Sequence, residues 1–256
     1  GDDILENASK ALIMAGGMIL AILITSLLVF AWNSYSKYQS SKDELSDYED
    51  VAEFNEQFAS YDRDEVLGYE ILSLVNKIND YNYRKSNDSQ AKGKDKYSSL
   101  TIKISFGSQE NLKKLSYDGN TPLLFNKMSY EVTTDDATSN PFKEKVKQAE
   151  EIAKNFGGTD NATKVAKSIS SIILKDSDES DEQKKAAALK KYNSLVATGK
   201  SYTDYQRMKR EQKENIYGYY EYIQLKKSIF KAEKVEYDTT GTGRIKSMEF
   251  SFNKIK

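Results

Sequence analysis

Ala11-Leu-Ile-Met-Ala-Gly-Gly-Met-Ile-Leu-Ala-Ile-Leu-Ile-Thr-Ser-Leu-Leu-Val-Phe-Ala-Trp32 holds no charged residue, and the uncharged run continues to Ser36. As a helix rising about 1.5 Å per residue it reaches roughly 30 Å, the thickness of a bilayer's hydrocarbon core. It is longer than the apolar core of a secretory signal. The plan this dictates is a membrane-inserted helix at one end of the chain and a polar body behind it. Ala11/Ala15 and Gly17/Ala21 form small-x-x-x-small pairs, which let helices approach closely in lipid.

The rest of the 256 residues narrows the function. Thirty-eight basic and 39 acidic side chains leave a net charge of -1, which argues against nucleic acid as a partner, since phosphate binding needs a basic excess. There is no cysteine, so neither a disulfide framework nor a thiolate metal site can form. There is no histidine either, which removes the commonest general base and zinc ligand and every imidazole triad. An enzyme built from this chain has only Asp, Glu, Lys, Ser and Tyr to work with. Their spacing shows no catalytic constellation. The expectation is a non-enzymatic protein without a cofactor.

Outward from the apolar run, Leu45, Tyr48, Val51, Phe54, Phe58 and Tyr61 recur at helical steps with acids between them, predicting an amphipathic continuation. After a pause at Asp62 to Leu67, the stripe Leu67, Ile71, Leu74, Val75, Ile78 and Tyr81 predicts a second helix, the two forming a membrane-proximal hairpin. Asn82 to Lys96 reads as a polar loop. Leu100, Ile102, Ile104 and Phe106 alternate with polar residues, as do Met128, Tyr130 and Val132, giving two strands with one buried face each. Asp135 to Pro141 breaks the chain before a helix over Phe142 to Phe156, stopped by Gly157-Gly158.

Helical patterns follow through Val165, Ile169, Ile172 and Ile173, and again from Ala186 to Val196. Asp204 opens a tyrosine-rich helix that carries Tyr217, Tyr219, Tyr220 and Tyr222 and extends through Ile229. Val235 and Tyr237, a turn at Thr239 to Gly243, and the alternation Met248, Phe250, Phe252 predict a closing hairpin. The predicted fold is α+β: a long N-terminal transmembrane and amphipathic helix, then a mainly helical domain with a small antiparallel sheet and a C-terminal hairpin. Three regions follow from this reading: residues 1–38 as acidic lead and membrane helix, 39–82 as amphipathic helices, and 83–256 as the outer domain.

Candidate chemistry is sparse. The acidic run Asp176, Asp178, Glu179 and Asp181 lacks the sixth-position Gly and twelfth-position Glu of a calcium loop and reads as a solvated loop whose Ser180 or Asp181 caps the next helix. Ser34-Tyr-Ser-Lys37 and Ser228-Ile-Phe-Lys231 match Ser-x-x-Lys without its companion motifs, the second on a predicted helix. Gly241-Thr-Gly243 is a turn, not a phosphate loop. The tyrosines from Tyr202 to Tyr222 supply contact area at low entropic cost, and Tyr217, Tyr219, Tyr220 and Tyr222 form a possible partner surface, although half of the tyrosine positions in that stretch fall on a helical stripe and core packing is the stronger reading.

The lead Gly1-Asp-Asp-Ile-Leu-Glu6 has the Gly-x-x-x-x-Glu spacing that resembles the cleavage site of type IV prepilins, but its apolar run starts later than in pilins. That resemblance implies removal of Gly1 and a role for Glu6 in pairing with a neighbouring subunit's N-terminus. Four stretches, Glu6 to Gly17, Glu53 to Tyr61, Leu72 to Asn79 and Phe230 to Phe250, resemble a group of single-pass membrane proteins of low-GC Gram-positive bacteria with a pilin-like layout. No activity comes with it. The expectation is a pilin-like structural subunit of a cell-surface appendage, self-associating or packing with other membrane helices through Glu6, Ala11, Ala15, Gly17 and Ala21. The alternative is a single-pass, membrane-anchored surface or secretion-system accessory protein that binds a partner. In both, the short lead stays inside and the C-terminal domain is extracytoplasmic.

Overall fold

The computed structural model describes residues 2–87, 100–133, 140–196, 199, 201–240 and 242–256, with the side chains of residues 2, 43–47 and 82–87 excepted. The chain divides into two units, Gly1–Gln57 and Phe58–Lys256. The first is almost entirely one helix, α1 (Asp2–Ala59), within which Asp3–Lys42 is long and apolar enough to cross a membrane. Within Asp3–Lys42 its large apolar side chains, Leu12, Met18, Leu23 and Phe30 among them, are exposed, whereas Phe54 and Phe58 near its end are buried. An apolar surface of that size costs heavily in water and nothing in lipid. The helix also shows no break between the apolar run and the amphipathic stretch after it.

In the second unit the turn after α1 is organised by Arg63. Its guanidinium donates to both oxygens of Glu70 at 2.5 and 2.6 Å and to the Glu65 carbonyl at 2.8 Å. Glu70 in turn accepts the Leu67 backbone N–H at 2.8 Å, at the start of α2 (Gly68–Asn87). The expected stripe on α2 is buried, with Ile71, Leu74, Val75 and Ile78 all at or below 2% exposure. The helix runs six residues into the segment read as a polar loop from Asn82, and the rest of that segment lies outside the described residues.

The sheet has five strands in the order β1 (Val66–Leu67), β4 (Ser228–Tyr237), β5 (Ile245–Ile255), β2 (Thr101–Ser105) and β3 (Ser129–Val132). It is mixed, which corrects the antiparallel expectation: β2 and β5 pair in parallel, with Ile102 opposite Met248 and Ile104 opposite Phe250. The hairpin β4–β5 and the pair β2–β3 are antiparallel as expected. Nothing local encodes the parallel pair, because its strands are separated by the whole helical block. β4 also begins at Ser228, so Ile229 and the second Ser-x-x-Lys lie on a strand and not on the tyrosine helix.

One sheet face is apolar and buried, built from Ile102, Ile104, Tyr130, Val132, Phe230, Met248, Phe250 and Phe252. Phe106, Phe230 and Phe252 form a triangle of rings with centroids 5.8 to 6.0 Å apart. The other face is polar, and a row of alternating charge, Lys234, Glu249, Lys103 and Glu131, runs across four strands in register. Period-two patterning with one solvated face gives this arrangement directly. Three register shifts interrupt the β4–β5 pairing, β1 covers the start of β4, and Glu233, Lys234 and Glu236 charge the strand beyond it, which discourages pairing with a further strand.

The remaining helices are α3 (Gln109–Lys113), α4 (Pro141–Asn155), α5 (Thr159–Lys167), α6 (Ile169–Ile172), α7 (Glu182–Leu195) and α8 (Tyr202–Lys227), with a 3-10 turn at Asp176–Asp178. Asn140 caps α4 by accepting the Phe142 and Lys143 N–H groups, and Asp181 caps α7 as anticipated. Ser201 and Asp204 form a reciprocal capping box, which starts α8 at Tyr202 rather than at Asp204. α8 packs against α2, α4, α5, α7 and β5 and is the centre of the unit. The segment of the expected break at residues 134–139 lies outside the described residues.

Gly68 sits directly on the end of α8. A Cβ at this position would lie 1.7 Å from the Leu225 carbonyl oxygen and 2.7 Å from its carbon. Both obstacles are backbone and cannot rotate away. Gly68→Ala is therefore expected to lower the stability of the detergent-solubilised chain by about 3 kcal/mol, read as a fall in the thermal midpoint. An unchanged midpoint would show that α2 is free to move off α8.

Candidate functional site

The tyrosine-rich helix α8 separates its residues by face. Tyr205, Met208, Ile216, Tyr219, Tyr222 and Ile223 are buried, whereas Gln206, Arg210, Lys213, Tyr217 and Tyr220 follow one another at steps of three and four on the side that meets solvent. Two of the four expected surface tyrosines are thus core residues. Tyr219 is 1% exposed, with its hydroxyl 3.4 Å from the Thr163 hydroxyl and the Thr159 carbonyl. Tyr222 stacks on Phe125 at 6.4 Å, and burial, helped by the charge of Glu150, pushes its hydroxyl up to about 12.

Tyr217 and Tyr220 remain, half-buried, and a third ring joins them from the segment between α3 and β3. Tyr117 lies 5.4 Å from Tyr217 and 5.5 Å from Tyr220, tilted to the first and edge-on to the second. The Lys213 ammonium sits 5.2 Å over the Tyr217 ring. Asp118 stands next to this cluster. Burial works to raise its pKa but is outweighed by the bonds from Asn120 and the charge of Lys213, so the carboxyl sits below its usual range. The Tyr217 hydroxyl is raised, by burial first and then by Asp118 and Tyr117.

Toward the N-terminus of α8 the same face forms one wall of a cleft of about 440 Å³. Lys209 is in the floor, its side chain 14% exposed, donating to Asp176 at 3.0 Å and to Glu179. These two acids keep Lys209 protonated against the penalty of burial, raising its pKa, and they hold the 3-10 turn against α8. Gln206, Arg210, Lys213 and Glu214 complete the lining, which carries three cations and three anions in all. The charges of the cleft therefore cancel.

The segment that carries Tyr117 is held to α8 by a buried carboxylate. Glu221, 1% exposed, accepts the Leu123 N–H at 2.7 Å and the Leu124 N–H at 2.8 Å. One turn earlier, Gly218 leaves room for Leu124: a Cβ there would meet the Leu124 side chain at 3.1 Å. Burial raises the Glu221 pKa, against the opposing pull of the N–H groups of Leu123, Leu124 and Phe125. The motif analysis did not single out either residue. The available signal was the helical face Gly218, Glu221, Leu225, in which a glycine and an acid interrupt an otherwise apolar side.

The other sequence candidates lie elsewhere. Glu6 pairs with Lys10 at 2.8 Å in an i,i+4 bridge, both side chains 64% exposed. On α1, Ala11/Ala15 and Gly17/Ala21 point to different sides, about 120° apart at 100° per residue, so they form two seams instead of one. Thr25 donates back to the Ala21 carbonyl at 2.8 Å. In the second Ser-x-x-Lys, the Ser228 hydroxyl donates to the Gln224 carbonyl at 2.8 Å while Lys231 reaches Asp64 at 3.7 Å, so the pair does not meet. Among the described residues no group of three or more acidic side chains is placed to hold a metal ion. No protein-family model, curated protein or solved structure matches the chain.

Glu221→Gln turns an amide NH2 toward one of the two backbone N–H groups and is expected to cost about 2 kcal/mol at pH 4. Because burial lifts the Glu221 pKa above its unfolded value, its contribution is full below the ordinary glutamate range and is lost as pH rises through the lifted value. The stability gap between parent and variant should therefore narrow from pH 4 toward neutrality, measured by thermal melts across that range. A gap that widens with pH would mean the carboxylate is held ionised.

Proposed function

We propose that this protein is a single-pass, membrane-anchored binding protein whose α+β body stands on the extracytoplasmic side and engages a partner through the solvent face of α8. The observation that carries the reading is the combination of an exposed apolar helix with a separate, well-packed unit bearing a half-exposed aromatic cluster next to a polar cleft. Half-buried tyrosines on a rigid helix lose little entropy on binding.

A pilin-like structural subunit is the second reading, favoured by the unbroken passage of α1 from the apolar run to Ala59. Two observations weigh on the other side: the Glu6 carboxylate is already matched by Lys10, and the small-residue pairs are split between two seams. Surface appendages sheared from cells would contain the chain under this reading and lack it under the first.

The absence of cysteine makes topology directly readable. Asn253→Cys on β5 should react with a membrane-impermeant maleimide on intact cells, whereas Lys10→Cys should react only after permeabilisation. The reverse pattern would overturn the orientation, and labelling of neither on intact cells would overturn the surface location.

A further inference from the structure

We propose that the α8 cleft and the adjoining Tyr117, Tyr217 and Tyr220 cluster bind a neutral oligosaccharide, an inference that rests on the reading of the body as a binding module. The charge of the site selects the class of ligand. Lys209 is matched by Asp176 and Glu179 in the floor, and the Arg210 and Lys213 cations are balanced by Glu214 and the nearby Asp118. A phosphate or polyanion site needs a surplus of cations, and a site for an apolar ligand needs a mostly apolar lining. This cleft has neither.

What it does present are planar polar groups: the Arg210 guanidinium, the Glu214 carboxylate and the Gln206 carboxamide. Such groups donate or accept two hydrogen bonds in one plane and so match adjacent hydroxyls on a sugar ring, each of which is donor and acceptor at once. The aromatic cluster supplies the complementary element. The C–H face of a pyranose is apolar and slightly positive, and the face of a tyrosine ring is slightly negative. Among the described residues no ring stacks parallel on Tyr117, the interplanar angles to Tyr217 and Tyr220 being 51° and 81°, and Lys213 covers one face of Tyr217.

Length and rigidity agree with an extended ligand. From Arg210 to Tyr220 the helix rises about 15 Å, the span of about three sugar rings. Tyr117 is held on that face by the two backbone bonds to Glu221 and the seating of Leu124 at Gly218, so the ligand would not have to order the site. Lys213 joins the two halves, lining the cleft while covering Tyr217.

The test uses the full chain in a zwitterionic detergent without a sugar headgroup, labelled and applied to an array of immobilised neutral and acidic glycans, with inorganic polyphosphate as a soluble comparison. The expected result is binding to neutral oligosaccharides of three or more rings, changed less than about twofold between low and high salt. Arg210→Ala should weaken that binding at least tenfold while leaving the thermal midpoint in place, and Tyr217→Ala should weaken it at least tenfold with a lowered midpoint that stays above the assay temperature. Binding to no neutral glycan, binding only to acidic glycans or polyphosphate with steep salt dependence, or equal binding by both variants would each overturn the inference. A body that labels on intact cells at Asn253→Cys yet binds no glycan overturns this inference alone. A body that never labels overturns the module reading beneath it.

Discussion

The carboxylate of Glu221, enclosed by the protein and bonded to consecutive backbone N–H groups, is the interaction on which the placement of Tyr117 against α8 depends. A backbone segment with no regular hydrogen-bonding partners must find acceptors or remain in water. Here a helix supplies them through one side chain, so the segment between α3 and β3 is drawn onto α8 and brings Tyr117 with it. The cost of burying an acid is offset by the donors it satisfies and by the Leu124 and Phe125 side chains that pack once the segment is in place. Gly218 makes that approach possible by offering no side chain where Leu124 lies.

α8 itself is positioned by contacts on nearly every side. Gly68 lets the start of α2 meet the carbonyl of Leu225, and at the opposite end Tyr205 donates to the Ile172 carbonyl at 2.6 Å and accepts the Leu174 N–H at 3.2 Å. One helix thus connects the sheet, the helical block and the clasped segment. Its outward face is what remains after those partners have taken the rest. Rigidity of that kind suits a recognition surface, because little conformational freedom is left to lose when a ligand arrives.

The apolar helix follows a different logic. Its apolar side chains stay exposed from Asp3 to Lys42, and that stretch does not require tertiary partners, because its backbone groups beyond the first turn are bonded within the helix. The Glu6–Lys10 bridge is likewise local, formed by residues one turn apart. These features belong to a segment specified by composition and period alone, which is why its span was legible directly.

The same distinction runs through the whole chain. The sequence by itself determined the apolar run, the helical stripe of α2, the helix of α4, the alternation of β2 and β5 and a cap at Ser180 or Asp181, since each depends on residues within a few positions of one another. Only the tertiary structure decided that β2 and β5 run parallel, that Tyr219 and Tyr222 are inside while Tyr217 and Tyr220 are outside, and that Glu221 is buried. The tyrosines show the reason most clearly. All four lie within two turns of one helix and share one chemistry, so local pattern cannot separate them. Their environments differ because α4, α5 and the Leu123–Phe125 segment, 50 to about 100 residues away in sequence, pack against one side of α8 and leave the other to solvent.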